Sequence, residues 1–197
     1  MYHGSLTVLP MEEDLDIHQI WLYQLNISSV TLTDAQGTVQ NLSADRVGLQ
    51  GTIDSGAAMT VIPEPMFRKL VKMVGAYSPF HIDDELYVPC ENRHRAGSLD
   101  FEFASKESRI SVSLWNMITP GFDLMTGEPM LDENGARMCQ LMVAPGEADS
   151  SVLELNQVLL RSAYVVHHLD ENVLGIAQVR EDTKAAVSLQ NVVEIKP

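Results

Sequence analysis

The tripeptide Asp54-Ser55-Gly56 is where residue types and spacing in this chain point most directly to chemistry. A carboxylate held within a narrow angular range can activate water as a general base. Val47 to Ile53 reads as a strand approaching this turn, and Ala57 to Ile62 as a strand leaving it. Gly56 lets backbone amides turn towards the carboxylate, and Ser55 carries a hydroxyl able to donate a hydrogen bond. The plainer reading is a turn former, because Asp before Gly is common in tight reversals. His167-His168 invites a metal reading, but neighbours on a strand face opposite sides and do not easily chelate one ion. Cys90 and Cys139 have only His94 at short range and lack the further ligands of a zinc site. No metal and no cofactor is expected. From spacing alone the two cysteines are either buried free thiols or a disulfide.

The elements that must position Asp54 follow from the hydrophobic pattern. Ser5–Leu9, Ile17–Leu22, Ser29–Leu32, Ser98–Phe103 and Arg109–Leu114 alternate apolar and polar residues, the period of half-buried strands. Asp34-Ala35-Gln36-Gly37, Asp132-Glu133-Asn134-Gly135 and Ala144-Pro145-Gly146 supply turn chemistry between them. The exception begins at Pro63-Glu64-Pro65, where Met66, Phe67, Leu70, Val71, Met73 and Val74 follow at helical spacing and Gly75 closes the run. Gln157–Ser162 reads as a second, shorter helix before the apolar strand from Ala163 to Val166. The fold class is therefore all-β, mainly antiparallel, with one or two short helices, and residues 1–197 read as a single domain without repeats or linkers.

Composition excludes several functions. The 197 residues carry 13 Lys plus Arg against 27 Asp plus Glu, a formal charge of −14. Such a surface repels nucleic acid and anionic lipid. A hydrophobic content of 45% beside 20% charged residues excludes a disordered tail and provides for a real core. No apolar run reaches the roughly 18 to 20 residues of a membrane helix, so no membrane span is expected. Met1 to Leu6 has neither the basic nor the apolar region of a secretory signal. Asn26-Ile27-Ser28 and Asn41-Leu42-Ser43 are nevertheless glycosylation sequons, which hint at an oxidising compartment. Arg93-His94-Arg95, Glu12-Glu13-Asp14 and Asp83-Asp84-Glu85 read as solvated loops, and Trp21 and Trp115 as core or edge packing rather than a ligand platform.

Four motifs in order carry a resemblance. Tyr2-His3-Gly4-Ser5-Leu6 with Leu9-Pro10, the Val47–Ile62 stretch, the Cys90 and Cys139 segments, and Leu160-Arg161-Ser162-Ala163-Tyr164-Val165-Val166 with Gly175-Ile176-Ala177-Gln178 resemble the carboxyl-terminal lobe of pepsin-like (family A1) aspartic proteases. The fungal candidapepsins and yapsins look most similar. The resemblance covers about residues 2–179 and leaves 180–197 as a tail. It implies a pepsin-like lobe, a Cys90–Cys139 bridge, a peptide or protein substrate, and secretion, the cell surface or the vacuole as location.

It also implies that Asp54 is the catalytic aspartate of the second lobe. In this family two aspartates, one per lobe, share a proton and activate a water between them. This chain has no second Asp-Thr/Ser-Gly, so the resemblance implies an amino-terminal lobe as partner, from the same precursor or a separate chain, and no cleavage by a monomer. Two positions depart from the family pattern. Ala57 stands where a Thr or Ser hydroxyl would support the carboxylate, and Asn156, in Glu154-Leu155-Asn156-Gln157, stands where Gly is expected. Asn tolerates the left-handed conformation that such a Gly can adopt. The departures leave a non-catalytic peptide-binding module as one alternative, and a homodimeric, retropepsin-like protease with two copies of Asp54 as another.

Overall fold

Alternation becomes strand along most of the chain. The computed structural model describes residues 2–12, 23–78, 85–104, 108–123 and 125–179. The expected strand at 17–22, Trp21, the acidic residues Glu13, Asp14, Asp83 and Asp84, and the 180–197 tail lie outside the described residues.

The strands are β1 (Tyr2–Pro10), β2 (Gln24–Thr33), β3 (Val39–Asn41), β4 (Leu49–Ile53), β5 (Thr60–Pro63), β6 (Tyr87–Pro89), β7 (Ser98–Phe103), β8 (Arg109–Ser113), β9 (Ile118–Pro120), β10 (Met138–Leu141), β11 (Val143–Gly146), β12 (Val152–Leu155), β13 (Ala163–His168) and β14 (Val173–Val179). The largest sheet runs β11-β5-β12-β4-β2-β7-β8, with β3 also pairing β2. Two three-stranded sheets, β1-β14-β13 and β6-β10-β9, flank it. Most pairs are antiparallel, as the pattern predicts, but β12 runs parallel to β4 and β11 parallel to β5. Inward residues of the central strands, Val30, Leu32, Leu99, Phe101, Phe103, Ile110 and Val112, are buried. Each such side chain contributes about 1.5 to 3 kcal/mol by leaving water.

Helix α1 (Glu64–Val74) forms as its spacing predicts: Met66, Phe67, Leu70 and Val74 are buried, and the helix packs on β5 and β11. Pro63 precedes its first turn, and Gly75, at φ 69°, ends it in the left-handed region while donating to the Val71 carbonyl at 2.9 Å. The short helices α2 (Leu114–Met117) and α3 (Gln157–Leu160) follow β8 and β12. Two expected turns hold because an aspartate caps each. Asp34 Oδ1 accepts from the Gln36 and Thr38 amides, and Asp132 Oδ1 from those of Asn134 and Ala136.

Three expectations need correction. Ala144-Pro145-Gly146 is not a turn but part of β11, at the edge of its sheet. An edge tolerates the missing proline N–H, and a side chain at Gly146 would meet Val61 at 2.9 Å. Arg93 is not in a solvated loop. Cys90–His94 forms a 3₁₀ turn that lays the Arg93 guanidinium 3.5 Å over the Trp115 ring, and Trp115, 46% exposed, packs at the edge, the second of the two settings expected for it. Asp100, a polar position of the alternating β7, is buried. Its carboxylate takes hydrogen bonds from Arg109 Nη2 at 2.5 Å, Thr33 Oγ1 at 3.1 Å and the Ser111 hydroxyl. Gln178 on β14 bonds both the Ser111 N–H and its carbonyl, so the β1-β14-β13 sheet closes this face to water.

Met117 and Met138 are buried, whereas Met125 lies in solvent. Cys90 and Cys139 form a disulfide with Cα atoms 4.9 Å apart, tying the 3₁₀ turn to β10. The bridge closes a loop with a sequence separation of 49. Replacing both cysteines with serine is expected to lower stability by about 4 kcal/mol on the chain-entropy model. Urea unfolding of the variant and the parent chain measures the difference, and equal midpoints would contradict it.

Candidate functional site

β4 and β5 are consecutive in sequence and are not hydrogen-bonded neighbours. β12 lies between them, parallel to β4 with Leu155 opposite Ile53, and antiparallel to β5 with Glu154 opposite Val61. The turn joining β4 to β5 must therefore arch over the end of β12. That arch is Asp54 to Met59.

Backbone bonds fix it at both feet. The Ile53 amide donates to the Tyr23 carbonyl at 2.9 Å, and the Asp54 amide to the Leu155 carbonyl at 3.2 Å. On the far side the Gln157 amide, at the start of α3, donates to the Ala57 carbonyl at 3.3 Å. The Asp54 side chain is exposed, and its Oδ1 accepts the Gly56 amide at 2.7 Å. A Cβ at Gly56 would stand only 3.1 Å from that oxygen, so glycine gives the carboxylate its room. The amide–carboxylate bond is charge-assisted and holds one oxygen in place. Ser55 is exposed and makes no side-chain hydrogen bond among the described residues. Ala57 offers only a methyl group. Asp54 Oδ2 has no protein donor among the described residues.

Asn156 is fully buried beneath the arch. Its Nδ2 donates to the Met59 carbonyl at 2.5 Å, and its own amide to Thr60 Oγ1 at 3.3 Å. Its Oδ1 is buried without a partner. The backbone at Asn156, φ −103° and ψ −149°, is extended. The left-handed conformation considered for this position is thus not used, and the departure from Gly acts through space and hydrogen bonding. Thr60, buried at 0% exposure, was not apparent as a support residue; a lone Thr in the run Ala57-Ala58-Met59-Thr60-Val61-Ile62 is the signal that marks it.

The structure thus gathers Asp54, Ser55, Gly56, Ala57 and Asn156 into one loop cluster. It leaves the disulfide on the separate β6-β10-β9 sheet. Asn26 projects into solvent from β2, with its Nδ2 on Glu12 Oε1 at 2.5 Å; Asn41 is exposed at the end of β3, its Oδ1 accepting from the Ser43 amide at 2.8 Å. Neighbouring His167 and His168 differ in environment: His167 is exposed and packs edge-on to Tyr23 at 4.5 Å, whereas the Nδ1 of His168 is buried without a partner. Among the described residues no group of three or more His, Cys, Asp or Glu could hold a metal ion, and no helix is long and apolar enough to cross a membrane.

Comparison with known proteins finds that the eukaryotic aspartyl protease family matches residues 1–179. A probable aspartic-type endopeptidase opsB of Aspergillus oryzae is 27% identical over 195 residues, 98% of this chain and 36% of that protein. Candidapepsin-3 of Candida albicans is 25% identical over 189 residues, 95% of this chain and 40% of that protein. Secreted aspartic protease 1 of Candida albicans is 25% identical over 186 residues, 91% of this chain and 39% of that protein. The chain thus spans well under half the length of these relatives.

The packing beneath the arch makes a prediction. Asn156→Asp replaces the donor facing Met59 with a second acceptor and buries a charge, which is expected to destabilise by about 3 to 5 kcal/mol at pH 7. Burial raises the folded-state pKa of this new carboxyl above its unfolded value. The variant's stability is therefore retained below the unfolded pKa and lost as pH rises through the folded one. Asn156→Gly, which gains nothing from backbone freedom here, is expected to cost only about 1 kcal/mol. Denaturant unfolding at pH 7 and pH 4 checks both, and a pH-independent loss in the Asp variant would contradict the buried-donor assignment.

Proposed function

We propose that this chain, which belongs to the eukaryotic aspartyl protease family, supplies one of the two aspartates of a peptide-hydrolysing site and needs a second lobe to complete it. In this reading it is the carboxyl-terminal, pepsin-like lobe of an aspartic endopeptidase. The observation that carries the reading is the Asp54 carboxylate, exposed yet held through Oδ1 by the Gly56 amide, on an arch whose feet are bonded to β12 and α3. One oxygen is positioned and the other is left to meet a water and a partner carboxylate. With the second aspartate near, like-charge repulsion keeps one proton on the pair. The ionised member takes a proton from the water as it attacks the scissile carbonyl, and the protonated member donates to the developing oxyanion. The β1-β14-β13 sheet gives further support. Val8 on β1 is 61% exposed and Leu169, just after β13, 59%, apolar surface that a second lobe would cover.

The substrate is a peptide or protein, and the amino-terminal lobe is a partner from the same precursor or a separate chain. Secretion, or residence at the cell surface or in the vacuole, fits the Cys90–Cys139 bridge and the exposed sequon residues Asn26 and Asn41. Expression through a eukaryotic secretory pathway is expected to give a glycosidase-sensitive mass shift that disappears in the Asn26→Gln, Asn41→Gln double variant.

A second reading, a non-catalytic peptide-binding module, draws on the missing hydroxyl at Ala57 and the unpaired Asn156 Oδ1. Reconstitution separates the two. The chain alone is expected to show no turnover of a fluorogenic peptide at pH 4. Paired with the amino-terminal lobe of a fungal relative, it is expected to cleave in acid, to fall silent near neutrality as the shared proton leaves, and to lose activity with Asp54→Asn. Ala57→Thr restores a hydrogen bond to a charged group and is expected to raise the rate by roughly one to two decades. Peptide binding without cleavage by any of these pairs would favour the non-catalytic module. Activity of the chain alone, rising with the square of its concentration, would favour the homodimer.

A further inference from the structure

In a chain of charge −14, two arginines, Arg93 and Arg137, line one aromatic pocket away from the Asp54 arch. The pocket lies beside the disulfide and is lined by Cys90, Cys139, Arg93, Trp115, Phe122 and Arg137 among others, with no acidic side chain in its wall. Its cavity volume is about 140 Å³, the scale of one side chain rather than of a whole small-molecule ligand. Two guanidiniums meet at the end of α2. Arg93 Nε donates to the Trp115 carbonyl at 3.1 Å, and Arg161 Nη1 to the neighbouring Asn116 carbonyl at 3.4 Å. Burial and the charge of Arg161 both lower the pKa of Arg93, the mark of a cation without its counter-charge.

Among the described residues, two acids that adjoin the pocket's lining in sequence are engaged elsewhere. Glu91 faces Arg95 at 3.7 Å, and Asp123 Oδ1 accepts the Met125 and Thr126 amides at 2.8 Å. Among the described residues Arg93, Arg137 and Arg161 have no carboxylate at ion-pair distance. Arg93 instead covers the indole of Trp115, and Phe122, 52% exposed, also lines the pocket. An apolar pocket with two cations in its wall and a third beside it complements a ligand that carries an apolar group between negative charges.

We propose that this pocket docks an acidic peptide segment, one apolar or aromatic side chain entering between Trp115 and Phe122 while flanking carboxylates meet Arg93, Arg137 and Arg161. None of its lining residues belongs to the Asp54 arch, so it stands or falls separately from the proteolytic reading. The occupant is an acidic segment of a partner protein, held there without being cut.

The probe is the blocked peptide Asp-Asp-Phe-Asp-Asp, titrated into the intact 197-residue chain by calorimetry, with Asp-Asp-Ala-Asp-Asp, Lys-Lys-Phe-Lys-Lys and free phenylacetate in parallel. The expected result is saturable binding of the acidic Phe peptide, weakened by added salt. Replacing Phe by Ala in the peptide, or Arg93→Gln in the protein, is expected to weaken it about tenfold or more. Arg137→Glu alters an exposed side chain that the fold does not need, and is expected to weaken binding by a similar factor. Equal binding of the lysine peptide, unchanged affinity in Arg137→Glu, phenylacetate binding as tight as the peptide, or no saturation up to about 1 mM would each overturn the proposal.

Discussion

Everything at the candidate site depends on the insertion of β12 between β4 and β5. Two strands joined by a short turn would ordinarily pair as a hairpin, and the turn residues would then be free to vary with the turn type. Here each strand satisfies its backbone groups on β12 instead, so the connecting segment is obliged to bridge an intervening strand. Its path is then set by three backbone hydrogen bonds, from Ile53 to Tyr23, Asp54 to Leu155 and Gln157 to Ala57. The Gly56 amide is brought onto the Asp54 carboxylate as a consequence. The rigidity of that carboxylate comes from sheet hydrogen bonding, and its exposure comes from the arch standing clear of the sheet.

The same constraint explains why position 156 tolerates asparagine. The chain leaves β12 beneath the arch in an extended conformation, so no left-handed residue is demanded there. What limits the side chain is the buried space below Met59 and Thr60, and an amide fits because one end finds a carbonyl. The other end, left unpaired, is the cost. The arch therefore keeps its backbone frame over a side chain with one bonded end and one unsatisfied oxygen.

Features that the sequence makes legible are those carried by local chemistry. Helix α1 announces itself through Pro63, Pro65, the three-and-four spacing and Gly75, and the Asp34 and Asp132 turns through side chains that cap their own backbone. Periodicity reports which face of a strand is apolar, but not which strand lies beside it. The parallel placement of β12 against β4 was therefore invisible to it, and Asp54 and Asn156, about a hundred positions apart, were connected only through the family resemblance. Asp100 follows a polar position yet is buried, because Arg109, Thr33 and Ser111 satisfy it and β14 covers it. Arg93 and Trp115 pair across 22 positions, a contact that neither local segment encodes. Ala144-Pro145-Gly146 misleads because Pro and Gly serve edge strands as well as turns.

Under the proposed function, Asp54 is one half of a two-carboxylate site whose other half comes from a second lobe. A peptide carrying a tetrahedral hydroxyl in place of the scissile carbonyl mimics the intermediate such a site would stabilise, and its affinity reads the completed pair without requiring turnover. The decisive measurement is its dissociation constant for the chain alone, for the chain joined to a fungal amino-terminal lobe, and for that pair bearing Asp54→Asn. The expected results are no saturable binding by the chain alone, binding by the pair, and a loss of about a hundredfold or more on replacing Asp54. Tight binding by the monomeric chain alone, or affinity in the pair indifferent to Asp54, would contradict the proposed function.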